Sequence, residues 1–204
     1  DVSNPSEPDL TIRKDSGVAG GIVFQTDQSP QIGPGLFSAT PSPEAHIEKR
    51  NGEIVTTILL NLNGLTAASG GSSDKHVIGG NSSPNSYIFQ VNNVTNGFIY
   101  KVEMYCIQAP SSTDADQKDI NLVANTDANQ LQQGTAFDTG GTSITLIDRS
   151  GQWAQGEARE SGSTTLTAGL SNYYIAIAAG TNVAGGGHNY NQGKYLIKLR
   201  GADF

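Results

Sequence analysis

The sequence predicts an all-β protein, with a β domain over residues 51–204 behind an extended N-terminal arm over residues 1–50. Three observations carry that prediction. Apolar residues recur at every second position in the best-defined segments, the period of a strand with one dry and one wet face. Charged residues make up only 15% of the chain while glycine reaches 25 of 204, a composition that favours short strands and turns over helices. Six of the eight prolines fall in the first 43 residues, where each removes a ladder donor and holds its predecessor extended.

Pro5, Pro8, Pro30, Pro34, Pro41 and Pro43 make the first segment an arm. Residues 10–13 and 21–25 (GIVFQ) are its short strand candidates. Ile22, Val23, Phe24, Leu36 and Phe37 make it more apolar than a disordered tail, so it is expected to order against a larger body. Deleting residues 1–50 is accordingly expected to leave the β domain folded. That domain opens near Gly52 with EIVTTILLNLNGL, a nearly unbroken apolar run that reads as a strand buried on both faces or at a subunit contact. A polar loop over residues 66–75 follows.

Residues 86–108, SYIFQVNNVTNGFIYKVEMYCIQ, read as a β-hairpin. Tyr87, Phe89 and Val91 alternate with polar residues before the turn. After it, Phe98, Tyr100, Val102, Met104 and Cys106 form a dry face, with Lys101 and Glu103 on the wet one. Asn96-Gly97 between them accepts positive φ at low cost, which suits a tight hairpin turn. Beyond Pro110, a solvated acidic loop leads to a strand at residues 120–124. Leu131 and Phe137 anchor the polar stretch that follows, with a short helix at residues 128–133.

The last third supplies strand candidates at residues 143–148, 152–159, 164–168, 173–179 and 194–200, a spacing that matches a sandwich or barrel. In the terminal strand, Tyr195, Ile197 and Leu199 point one way, while Lys194, Leu196, Lys198 and Arg200 point the other. Such a cationic row also blunts an exposed outer strand. Trp153 is placed in a strand, as core or interface rather than a ligand platform.

The net charge of −7, with 12 scattered basic residues, excludes nucleic-acid binding through phosphates. Cys106 is the only cysteine, so no intrachain disulfide forms, and it falls in phase with the apolar face. No segment approaches the roughly 18 apolar residues of a membrane helix, and no basic-then-apolar leader opens the sequence. His46, His76 and His188 stand too far apart for a zinc motif and read as loop residues. No nucleophile elbow or phosphate loop is present. Glu157 and Glu160 are the acids nearest Trp153, but period-two geometry puts them on opposite faces, and they read as surface carboxylates rather than a glycosidase pair. Asp114, Asp116 and Asp119 alternate as calcium ligands do. They lack the glycine and the distal glutamate of an EF-hand loop, and Lys118 opposes the charge. Asn81-Ser-Ser and Asn93-Val-Thr match the glycosylation triplet, which recurs often by chance. The expectation is therefore no catalytic, cofactor or metal site.

The order of several segments resembles structural proteins of tailed bacteriophages, particularly a marine group, over residues 55–201. The matching stations are TTILLNLNGLTA, HVIGGNSSPNSYI, TNGFIYKVEMYCIQAP, KDINLV, NYYIAIAAGT and YNQGKYLIKLRG. The resemblance implies an antiparallel β-sandwich of jelly-roll-like form and a non-enzymatic virion role as a capsid decoration or cement protein. The implied partner is the outer surface of the major capsid protein shell. A homo-oligomer, a trimer at local three-fold positions, assembled in the host bacterial cytoplasm and located on the capsid surface, fits that role. The alternative is a carbohydrate-binding or receptor-binding β domain of a tail fibre or adhesin, with Trp153, Tyr173, Tyr174 and Tyr190 as stacking residues. An enzyme acting through Glu157 is the third reading.

Overall fold

The computed structural model describes residues 36, 43–67, 75–80, 85–112, 118–161, 166, 169–180 and 188–203. The arm strands proposed at residues 10–13 and 21–25, and most of the strand proposed at 164–168, lie outside these residues. The chain is paired from β1 (Glu44–Arg50), which forms a hairpin with β2 (Glu53–Asn61). Arg50 opposite Glu53 closes a two-residue turn. Asn51 and Gly52 both take positive φ, at 51° and 79°, the combination of a type I′ turn whose twist matches its strands. Residues 44–50, read from the sequence as arm, are thus an edge strand. Leu36 and Pro43 are buried as well.

The remaining strands are β3 (Thr66–Ala67), β4 (Phe89–Gln90), β5 (Phe98–Ser112), β6 (Ile120–Asn125), β7 (Ser143–Ile147), β8 (Ala158–Glu160), β9 (Tyr174–Ala179) and β10 (His188–Ala202). A one-turn helix, α1 (Asn93–Asn96), precedes β5, and a 3-10 turn (Ala128–Leu131) stands close to the predicted short helix. One sheet has the order β1-β2-β10-β5-β8, with β3 added to the start of β10; the other runs β4-β9-β6-β7. All pairings are antiparallel. Set β1 and β3 aside, and the chain crosses between sheets at every step from β2 to β10 except the in-sheet pair β6–β7. This alternation, β2-β10-β5-β8 over β4-β9-β6-β7, is the double Greek key of a jelly roll.

Besides β1, and residues 152–159, which are strand only from Ala158, two elements differ from the sequence reading. Residues 86–108 are not a hairpin, because β4 pairs with β9 in one sheet and β5 with β10 in the other. Between them α1 turns the chain from sheet to sheet. Asn92 caps its start by accepting from the Val94 amide at 2.8 Å, and Gly97, at φ 70°, ends it with its N–H bonded to Asn93. The Asn-Gly pair therefore serves a helix end, where the same positive φ is needed. The second difference concerns β10, which lies in the middle of its sheet rather than at an edge.

The main core lies between the sheets. Ile58, Leu60, Val102, Met104, Cys106, Tyr195, Ile197 and Leu199 come from one side, and Phe89, Ile120, Leu122, Leu146, Ile175 and Ile177 from the other. A smaller cluster of Val77, Val123, Leu131, Phe137, Ala176 and Ala178 covers the opposite face of the four-stranded sheet. Leu131 and Phe137 thus anchor as expected. Burial on two sides explains why every residue of β6 is buried, as a strand covered on both faces requires. By contrast, β2 buries alternate residues only, and Leu59 on its other face is 38% exposed.

Candidate functional site

With the four-stranded sheet covered on both faces, the surface that the described residues leave open is the outer face of β1-β2-β10-β5-β8. Antiparallel register sets its side chains in rows. One row runs Glu44, Leu59, Leu196, Tyr105 and Ala158, the next His46, Thr57, Lys198, Glu103 and Glu160, and a third Glu48, Val55, Arg200 and Lys101. Directly opposed side chains on one face touch, so Leu59, Leu196 and Tyr105 make an apolar stripe across three strands. Two of the bulges in β5 each expose one more large side chain on this face. Tyr195 pairs with Cys106 and Lys194 with Gln108, which leaves Ile107 between them, 44% exposed. Arg200 pairs with Lys101 and Gly201 with Ile99, which leaves Tyr100 as the extra residue. This second bulge reverses the phase of the strand. Ile99 is buried where Phe98 and Tyr100 were expected, and Tyr100 is 48% exposed.

A charged network borders the stripe. Arg200 donates from Nε to Glu103 at 2.9 Å and from Nη1 to Glu53 at 3.2 Å. Lys101 lies 3.0 Å from Glu103 and 2.7 Å from Glu160, while the Tyr100 hydroxyl donates to Glu53. Burial raises the Glu103 carboxyl, but the hydrogen bonds and charges of Lys101 and Arg200 outweigh it and leave the group below its ordinary value. Glu53 is lowered chiefly by the hydrogen bond from Tyr100, with Arg200 adding to it, and that same hydrogen bond, together with burial, raises the Tyr100 hydroxyl. Lys198 sits over the Tyr105 ring at 6.0 Å from its centre.

The candidates from the sequence scatter. Trp153 is 2% exposed, lies outside any strand, donates from Nε1 to the Ile120 carbonyl at 2.7 Å and meets Tyr195 edge-on at 5.4 Å. It is a core residue. Tyr190 is equally buried, while Tyr173 and Tyr174 are half-buried, the latter 4.8 Å from Tyr87. The four aromatics do not share a platform. Glu157 accepts from the Ala154 amide and pairs with Arg149 at 2.6 Å and Arg159 at 2.8 Å. Burial raises its carboxyl, but these partners prevail and lower it, the opposite of a general acid. Glu160 is bound to Lys101 instead.

His46 lies exposed on β1 and His76 half-buried at a bridge to Ala136, so neither is a free loop residue; His188 begins β10. Asp119 is buried, whereas Asp114, Asp116 and Asn81 lie outside the described residues. Asn93 is exposed in the first position of α1. Burial pushes the Cys106 thiol up to about 11, as expected for an inert core cysteine. Among the described residues, no three His, Cys, Asp or Glu side chains gather as a metal site, and no helix is long and apolar enough to cross a membrane. Sequence reasoning missed the network of Arg200, Glu103 and Lys101. Its signal, opposite charges on two amphipathic strands, was present without any indication that those strands pair. No family model matches the chain, and no curated protein or solved structure matches it.

Proposed function

We propose that the protein is a non-enzymatic virion structural protein, a decoration or cement protein that binds the outer surface of a phage capsid shell formed by the major capsid protein. The ordered resemblance over residues 55–201 supports this reading, as does a jelly-roll fold, which serves capsid and lectin domains alike. The observation that carries it is the outer face of the six-stranded sheet, an apolar stripe framed by paired charge, the make-up of a protein-contact surface. The acidic balance of the chain suits an outer surface rather than a wall facing packaged DNA.

The carbohydrate-binding reading loses two of its four stacking residues, since Trp153 and Tyr190 belong to the core. Mixing the full chain with shells that lack it tests the proposal. Saturable binding and greater shell resistance to heat or low salt are the expected results. Absence of binding overturns the cement role.

A further inference from the structure

The outer face of β1, β2 and β10 has a symmetry of its own. β2 stands between the other two strands and presents uncharged Val55, Thr57 and Leu59, with Glu53 at its turn end. On one flank β1, which also carries His46 and Arg50, presents Glu44 and Glu48, both exposed; on the other β10 presents exposed Lys194 and half-buried Lys198. None of the ion pairs among the described residues uses any of these four side chains. Neighbouring strands lie about 4.8 Å apart, so Glu44 and Glu48 on one side and Lys194 and Lys198 on the other stand at equal distances from Val55, Thr57 and Leu59.

We propose that this face is a self-complementary two-fold contact between two copies of the chain. An axis along β2 lays β2 on β2 and carries β1 of each copy over β10 of the other. From the register within one copy, Glu48 then lies against Arg200 of the second copy with Lys198 diagonal to it. Glu44 lies over Leu196 of the second copy, between its Lys194 and Lys198. Leu59 meets Leu59 near the axis. An axis across the strands stacks β10 on β10 and β1 on β1, like charge on like, so the charges select the first arrangement. Such a contact is isologous, each half repeating the other.

Charge also explains why this face is chosen. The chain carries a net charge of −7, which drives copies apart over most approaches. Here Glu44 and Glu48 of each copy face Lys194, Lys198 and Arg200 of the other, while Glu53, which meets its own counterpart at the axis, is paired within the chain to Arg200. Three strands of about seven residues make a face of roughly 15 by 20 Å, about 600 Å² over both copies and below the roughly 1,200 Å² of a standard specific interface, the size of a weak, transient contact. Association is therefore expected at micromolar or higher concentrations, and it weakens with salt because exposed pairs are screened.

The inference rests on the open face as a protein contact and not on the virion role, and shell binding by the same variants, scored separately, distinguishes the two. Sedimentation equilibrium of the full chain at low and high salt is expected to show a dimer that loosens with salt. A Glu44→Lys/Glu48→Lys variant and a Lys194→Glu/Lys198→Glu variant are each expected to pair at least tenfold more weakly than the wild type. Mixed in equal amounts, they regain a dimer, because the basic β1 and β10 of one meet the acidic β1 and β10 of the other. Circular dichroism checks that both variants are folded, and Leu59→Lys is a single change with the same expected loss. A wild type that stays monomeric at the highest concentration, or a mixture that does not associate, overturns the proposal.

Discussion

Glu103 illustrates how one side chain comes to depend on a distant one. It is 8% exposed, on the face expected to be wet, because Arg200, 97 positions away, and Lys101 cover and neutralise it. Its folded-state acidity sits below the ordinary carboxylate value, so the stabilisation is complete at neutral pH. It fades as pH falls below about 4.3, the unfolded value for glutamate, and is gone once pH drops beneath the folded one. Glu103→Gln should therefore cost about 2 kcal/mol at pH 7, in the range of hydrogen bonds to charged groups. In urea unfolding, the gap between wild type and variant should close on acidification. The alternation of Lys101 and Glu103 was legible in the sequence, but their partner on β10 was not, since periodicity names a face and not the strand beside it.

At the scale of elements, the Asn-Gly pairs carry the lesson. Asn51-Gly52 makes the hairpin turn and Asn96-Gly97 ends a helix, although the local chemistry of the two pairs is the same. Which one joins paired strands depends on the pairing of β1 with β2, of β4 with β9 and of β5 with β10. Glycines differ in the same way. A Cβ on Gly52 meets nothing within 4 Å, so Gly52→Ala should cost about 1 kcal/mol, the strain of positive φ alone. A Cβ on Gly201 falls 2.0 Å from the Asn96 carbonyl oxygen. There the end of β10 passes against α1, and a backbone atom has nowhere to yield. Gly201→Ala should lower the melting temperature severalfold more than Gly52→Ala; equal shifts would show that the crossing is looser than described.

For the whole molecule, the boundary between arm and domain has practical consequences. Leu36 is fully buried in the main core, and β1 pairs along its whole length with β2. Deleting residues 1–50 therefore opens a cavity and bares the β-branched edge of β2, a template for aggregation. This differs from the expectation that the β domain would survive that cut unharmed. Deleting residues 1–34 keeps both features. Size-exclusion chromatography should recover a folded species from the shorter deletion and aggregates from the longer one. Equal recovery of both would show that β1 adds little.

The sequence by itself determined the all-β class, the approximate positions of most strands, the core roles of Leu131, Phe137 and Cys106, and the face of β10 that points inward. These follow from alternation and composition, which are local properties of the chain. Only the tertiary structure decided that β10 is central, that residues 86–108 divide between two sheets, that Trp153 belongs to the core and that one open face carries columns of opposite charge. Those facts depend on which strands pair across long separations in sequence. A strand's period is the same whichever neighbour it takes, so the choice is made by packing the two sheets together.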